Sequence, residues 1–286
     1  KDLIVRYKTM QGFDAPYVPG WDCHGMPIEH QLFKELGLTK LQIAQTAFRE
    51  QARAYAQRYV EIQRDQFKRL GVLGDWEHPY LTMAKEYELT ILRLFNELVK
   101  AGYIYRGKKP VYWCASCETA LAEAEVEYED RQDPSIYVAF PVVKPPPDLP
   151  PDLRKAFEQP VAVAVWTTTP WTLPANVALC FHPHANYVVL EGPPHLLVAS
   201  ELAERVTAVL HSANVRRLGE ITGNALRGMR CRAPFGERES VAVVDESVSM
   251  AEGTGIIHIA PGHGQEDYVI GTRYQLPVLS PVDHQG

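Results

Sequence analysis

Two patterns of apolar spacing divide the chain. Between Thr39 and Leu70 the residues Leu41, Ala44, Phe48, Ala52, Tyr55, Tyr59, Ile62 and Phe67 recur at helical intervals, which predicts one long amphipathic helix stopped by Gly71. Tyr87, Ile91, Leu94, Phe95 and Leu98 predict a second helix from about Ala84 to Ala101, closed by Gly102. Beyond about residue 128 the period shortens. Apolar runs at Ile136–Val143, Val161–Trp166, Val177–Phe181, Tyr187–Leu190, His195–Ala199, Val241–Val244 and Gly255–Ile259 are separated by turn residues and predict strands. Only two helices are expected there, Glu201–His211 and about Gln265–Tyr274. The proline-dense stretch Lys144–Pro151 predicts a stiff surface loop. The shift in grammar places a domain boundary between 1–127 and 128–286, the second part being a β-rich barrel or sandwich.

Composition narrows the class. The 286 residues are 46% hydrophobic and 22% charged, values of a globular protein rather than a disordered, collagenous or coiled-coil one. No apolar run approaches the roughly 18 residues of a membrane span. The opening Lys-Asp-Leu-Ile-Val-Arg has neither an initiator Met nor a signal peptide, and reads as a start inside a longer polypeptide. The net charge of −6 lacks the basic footprint of a duplex binder, although a partner inserting one end of a nucleic acid stays open. Five cysteines without a secretory signal predict reduced thiols in the cytoplasm.

Four segments carry candidate chemistry. Pro19-Gly-Trp-Asp-Cys-His-Gly-Met-Pro-Ile-Glu29 places Asp22, Cys23 and His24 on a loop entering a helix, with Pro27 suited to its first turn; a capped helix with a structural Asp is the competing reading. Cys114-x-x-Cys117 after Val111-Tyr-Trp113 matches half a zinc knuckle, whose two other ligands would lie outside the chain. A redox pair or two structural thiols are the alternatives. Trp166-Thr-Thr-Thr-Pro-Trp-Thr-Leu-Pro-Ala-Asn176 crowds four hydroxyls and an amide onto a loop fixed by two prolines, able to hydrogen-bond a ribose or a carbonyl or simply to end a strand. Gly253-Thr-Gly-Ile-Ile-His258 through Asp267-Tyr268 predicts a strand, a Gly/Pro loop and a helix, a geometry that could bring His258 and Asp267 to one cleft. Asp267 could grip an ammonium group there, or merely complement a helix dipole, and His258 could place water or sit satisfied in the core. Gly253-x-Gly255 alone is a weak phosphate-loop signal.

Taken together and in this order, these segments resemble the isoleucyl-tRNA synthetases of class I over nearly the whole chain. The match includes Ala120-Leu-Ala-Glu-Ala-Glu-Val-Glu127 after the cysteine pair; Met26 departs from the more usual Leu. The resemblance implies an α/β chain: a partial Rossmann-type catalytic domain (1–127) followed by an inserted editing domain (128–286) truncated at its C-terminal end. It implies a monomeric, cytoplasmic parent enzyme without a membrane segment. That parent joins isoleucine to tRNA(Ile) through an adenylate, using ATP with Mg2+. The family's His-x-Gly-His and Lys-Met-Ser-Lys-Ser ATP signatures are absent from these residues, so only editing is expected of the chain in isolation. One methylene separates isoleucine from valine, worth only about 1–3 kcal/mol in an apolar pocket, so such enzymes need a second, hydrolytic sieve.

By resemblance Asp22 binds the isoleucine ammonium in the synthetic site. Asp267 holds the ammonium of the misattached valine, and Thr167, Thr168, Thr169 and Thr172 contact the terminal adenosine or the water. His258 limits side-chain size, Asn176 supports the loop or the substrate, and Cys114 and Cys117 hold a structural zinc. Direct water attack is implied, since no Ser-His-Asp pattern occurs. Two other classes compete: a free-standing ester or aminoacyl-tRNA hydrolase, and a non-catalytic zinc or RNA-binding module. The lone cysteine pair and the negative charge disfavour the second.

Overall fold

The computed structural model describes residues 1–210 and 215–286, and they form two compact units, 1–106 and 107–286. The change of grammar near residue 128 falls inside the second.

The first unit contains α1 (Asp2–Met10), β1 (Gly20–Trp21), α2 (Met26–Leu36), α3 (Gln45–Arg69), β2 (Tyr80–Leu81) and α4 (Lys85–Lys100). Pro27 sits in the first turn of α2, where its missing N–H costs nothing, and Gly37 ends the helix in the left-handed conformation. The helix predicted from Thr39 begins instead as a 3-10 turn at Lys40–Gln42, after which α3 runs unbroken for 25 residues. The face that α3 buries is Phe48, Ala56 and Val60, the first on the predicted stripe and the other two one position past it; Tyr59, Ile62 and Phe67 stay exposed. The small core is Cys23, Ala56, Val60 and Met83. Strands β1 and β2 pair in parallel, which puts the end of β1, and Asp22 after it, beside Thr82.

The second unit opens with a hairpin, β3 (Trp113–Cys114) and β4 (Thr119–Ala120). The other strands are β5 (Ile136–Lys144), β6 (Val161–Thr167), β7 (Ala178–Phe181), β8 (Asn186–Leu190), β9 (His195–Ala199), β10 (Arg217–Thr222), β11 (Arg230–Arg232), β12 (Glu239–Val244) and β13 (Ile256–Ile259). Three helices decorate them: α5 (Pro151–Ala156), α6 (Ala203–Val209) and α7 (Gln265–Arg273). The nine strands form one mixed sheet in the order β10-β8-β9-β6-β5-β11-β12-β7-β13. Strand pairs β6/β9 and β7/β12 are parallel and the others antiparallel. The expected barrel is not closed. β13 returns against β6 without pairing to it, leaving β10 and β13 as edges.

Strands β6 and β7 are buried along nearly their whole length, as continuous apolar runs require. Phe140, Val163, Leu179, Phe181, Tyr187 and Leu197 fill the space the sheet curls around. Tyr187 is fully buried, and its hydroxyl donates to the Gly255 carbonyl at 2.8 Å and accepts from the His182 N–H at 2.8 Å, pinning the Gly253–Gly255 segment to the core. Two predicted elements differ in detail. The proline-dense loop turns helical at Pro151, because proline is compatible with a first helical turn. The helix predicted at Glu201–His211 starts as a 3-10 turn at Ser200–Leu202 and continues as α6, with His211 outside the described residues.

Candidate active site

The threonine-rich segment and the β13–α7 loop face each other across a cavity of about 390 Å³ in the second unit. One wall follows from β6. After Thr167 the chain passes through Thr168 and Thr169 into a 3-10 turn at Pro170–Ala175 that the prolines impose. Thr167 Oγ1 accepts from the Thr169 N–H at 3.1 Å and lies 3.3 Å from Thr169 Oγ1. Thr168 is exposed and, among the described residues, has no hydrogen-bond partner, so its hydroxyl is available to a ligand.

Gly253 and Gly255 build part of the opposite wall. Both have positive φ (68° and 70°), and a Cβ on Gly255 would lie 2.5 Å from the Ala199 Cβ. These glycines serve a tight backbone approach rather than phosphate binding. Next, β13 delivers His258, and the Ala260–Gly264 loop leads into α7 with Asp267 in its first turn. Asp267 Oδ2 accepts from the Ala260 N–H at 2.8 Å. A Cβ on Gly264 would stand 2.8 Å from the Asp267 Cγ, so glycine is what lets the carboxylate fold back over the loop. Burial raises the Asp267 carboxyl above the ordinary carboxylate value, the Ala260 N–H opposes that, and neighbouring Glu266 adds to it. A half-buried anion of this kind calls for a cation.

His258 is 9% exposed, and desolvation, reinforced by His263, pushes its pKa down to about 4. The ring is therefore neutral at pH 7, and its tautomer follows from geometry. Thr172 Oγ1 lies 2.9 Å from the Thr169 carbonyl and 3.0 Å from His258 Nε2. A carbonyl carries no proton, so the hydroxyl must donate to it, and His258 Nε2 must donate to the hydroxyl. That leaves Nδ1 as a bare acceptor, buried and without a partner among the described residues.

The shift has a sign for stability. A histidine whose folded pKa is depressed binds fewer protons than the unfolded chain, so stability falls as pH drops from about 6.5 to about 4. The full effect is roughly 3 kcal/mol. His263 is lowered by burial and acts in the same direction, while Asp267, raised, acts in the opposite one. Denaturant unfolding at a series of pH values should show a shallower acid slope for His258→Gln, which keeps a donor for Thr172 without a titrating ring.

Of the two places the resemblance implies for Asn176, loop or substrate, its position is behind the loop, and it is not among the residues lining the cavity. It is fully buried behind the threonine loop, where its amide donates to the Ala178 carbonyl at 2.8 Å and its oxygen accepts from Ser240 Oγ. Arg238 braces the same loop through the Pro174 and Asn176 carbonyls at 3.0 and 3.1 Å. Thr167, Thr168, Thr169, Thr172, His258 and Asp267 all line the cavity, joined by Trp166, Trp171, Ser249, Glu252, His263 and Glu266. The lining contains three carboxylates and, among the described residues, no Lys or Arg, so it suits a cationic or neutral ligand and not a phosphate.

Asp22, in the first unit, lies at a separate hollow of about 320 Å³ lined by Tyr17, Trp21, Gln63, Phe67 and Trp76. Its Oδ1 accepts weak contacts from Thr82 Oγ1 and the His24 N–H, both at 3.4 Å. An exposed carboxylate at an apolar hollow has the parts needed for an amino acid: a charge for the ammonium and aromatic walls for the side chain.

Cys114 and Cys117 sit on the β3–β4 hairpin, both partly exposed and neither in a disulfide. The Cys117 N–H donates to Cys114 Sγ at 3.3 Å, and hydrogen bonding from Cys117 lowers the Cys114 thiol. A cysteine pair on a tight hairpin, one sulfur of which accepts a backbone N–H, suits a zinc half-site. Among the described residues no third ligand converges on them. Cys180 and Cys231 lie fully buried in the sheet, where burial pushes both thiols up to about 12.

The family model of the class I tRNA synthetases (I, L, M and V) matches residues 1–257, and the chain belongs to that family. It is 52% identical over its whole length to the isoleucine–tRNA ligase of Moorella thermoacetica and 50% identical to that of Desulforamulus reducens, spanning 30% of each. Among solved structures, the editing domain of the Plasmodium falciparum cytosolic leucyl-tRNA synthetase matches 49% of this chain and 66% of its own at 11% identity, with a TM-score of 0.41. No helix among the described residues is long and apolar enough to cross a membrane.

Proposed function

We propose that the second unit is a hydrolytic editing site that cleaves valine from tRNA(Ile). The observation that carries this reading is a cavity with a half-buried, upward-shifted carboxylate on one wall, hydroxyls on the other and, among the described residues, no Lys or Arg in its lining. Such a cavity fits the uncharged terminal adenosine of a tRNA with an amino acid whose ammonium is free. In this reading Asp267 binds the ammonium, Thr168 and Thr169 meet the nucleoside, and His258, fixed by Thr172, closes the floor against a longer side chain. Water attacks the ester carbonyl carbon, the bond to the ribose oxygen breaks, that oxygen takes a proton, and free valine leaves. The neighbouring ribose hydroxyl assists the water. The test is hydrolysis of the valyl and isoleucyl esters of tRNA(Ile) side by side, with the valyl ester cleaved and the isoleucyl ester spared.

The longer polypeptide to which such a sequence belongs is proposed to be the isoleucine-tRNA ligase, a cytoplasmic monomer. It would join isoleucine to tRNA(Ile) with ATP and Mg2+, Asp22 holding the isoleucine ammonium. Neither ATP signature occurs in these 286 residues, and no ATP-dependent step is derived for them. Cys114 and Cys117 would hold a structural zinc that ties the hairpin to ligands elsewhere in the longer chain.

A further inference from the structure

The two walls of the cavity are joined twice, each time by a histidine of one wall and a residue of the threonine loop. At the floor His258 meets Thr172 through a hydrogen bond of 3.0 Å. At the rim His263 meets Trp171, the preceding residue, edge to face, with ring centroids 5.4 Å apart at 85°. Trp171 is 57% exposed. Among the described residues its indole makes no hydrogen bond, and His263 is its one ring neighbour.

The histidine side of this contact is held firmly. The His263 N–H donates to the Ala260 carbonyl at 2.9 Å, and the Ala260 N–H is the group that binds Asp267. One turn therefore holds the backbone that carries the ring and the carboxylate itself. Gly262 in that turn packs so close to the Leu279 carbonyl that a Cβ would lie 1.9 Å from it, so the turn backs directly onto that backbone. The His263 Nε2 is shielded and unpartnered, so no hydrogen bond at that nitrogen sets the ring's position.

We propose that Trp171 and His263 form a clasp that holds the threonine wall at the spacing from Asp267 that the bound ester requires. His263 is then a positioning residue, acting through Trp171. This rests on the hydrolytic reading of the cavity, but the contact itself can be tested without it. Edge-to-face pairs contribute enough to shift an equilibrium about three- to tenfold when lost. The valyl-ester KM should rise by about that factor in His263→Ala, with kcat little changed, because the clasp sets where the substrate sits. His263→Phe keeps an aromatic edge and removes the nitrogens, and should restore KM. Trp171→Ala should reproduce the His263→Ala rise, and the double variant should add nothing further.

The physical readout is 19F NMR of the chain carrying fluorotryptophan. The sequence has five tryptophans, and Trp171→Phe identifies the resonance of Trp171, the others reporting that each variant is folded. The expected result is a Trp171 resonance displaced in His263→Ala and retained in His263→Phe. A resonance unmoved by His263→Ala would overturn the clasp, whatever the kinetics. A displaced resonance with unchanged KM would overturn its positioning role. If the unsubstituted chain hydrolyses neither ester, the proposed function fails, and the resonance still decides whether the clasp exists.

Discussion

Asp267→Asn should abolish most hydrolysis of the valyl ester while leaving the protein folded. The amide oxygen can still accept the Ala260 N–H that now goes to Asp267 Oδ2 at 2.8 Å, so the turn before α7 keeps its closing bond. What disappears is one of three carboxylates, the half-buried one, in a cavity whose described lining holds no Lys or Arg. Truncating one partner of a buried charged pair typically costs about 2–5 kcal/mol, or a fall of at least roughly 30-fold in kcat/KM. The substitution should not destabilise the fold. A carboxyl whose folded pKa is raised loses stability as pH climbs above its unfolded value of 3.8, and the neutral amide removes that loss. Steady-state deacylation and denaturant unfolding at pH 7, measured on the same preparation, separate the two effects. An activity loss accompanied by unfolding would deny Asp267 its proposed role in substrate binding.

Asn176→Ala should do the opposite, destabilising the second unit without removing any group that faces the cavity. The side chain is fully buried and serves two partners, the Ala178 carbonyl and Ser240 Oγ. Alanine leaves both unsatisfied. Each buried polar group left without a partner costs about 1–3 kcal/mol, so a loss of roughly 2–5 kcal/mol is expected, read as a lowered denaturant midpoint. Asn176→Ala with Ser240→Ala should recover part of it, because the second change removes one orphan. The valyl-ester KM should follow only as far as the threonine loop loosens.

The contrast between these residues shows what the sequence could and could not convey. Asn176 and Thr172 stand four apart in one polar segment, and nothing in spacing says that one faces a cavity and the other the core. The distinction arises because Pro170–Ala175 forms a 3-10 turn, which turns successive side chains to different sides. His258 and Asp267 were legible as candidates for one cleft, since a strand, a glycine loop and a helix over nine residues could bring them together, and both line the same cavity. His263 and Trp171 lay inside recognised segments, but their contact joins loops 92 positions apart and has no local signature.

For the fold, continuous apolar runs located β6, β8 and β9 closely. β11 escaped because Arg230-Cys-Arg232 turns only Cys231 inward, and one apolar residue makes no pattern. β10 interrupts its alternation with Gly219, where a Cβ would strike Leu153 at 2.8 Å. Sheet closure depends on whether two distant edges pair, which no local pattern specifies, and β10 and β13 do not.

The most direct measurement is deacylation of Val-tRNA(Ile) and Ile-tRNA(Ile) by the unsubstituted chain under identical conditions. Valine should be released and isoleucine retained if, as proposed, His258, neutral and held by Thr172, limits the length of the side chain that the cavity admits. Equal cleavage of both esters, or of neither by a folded chain, would contradict it.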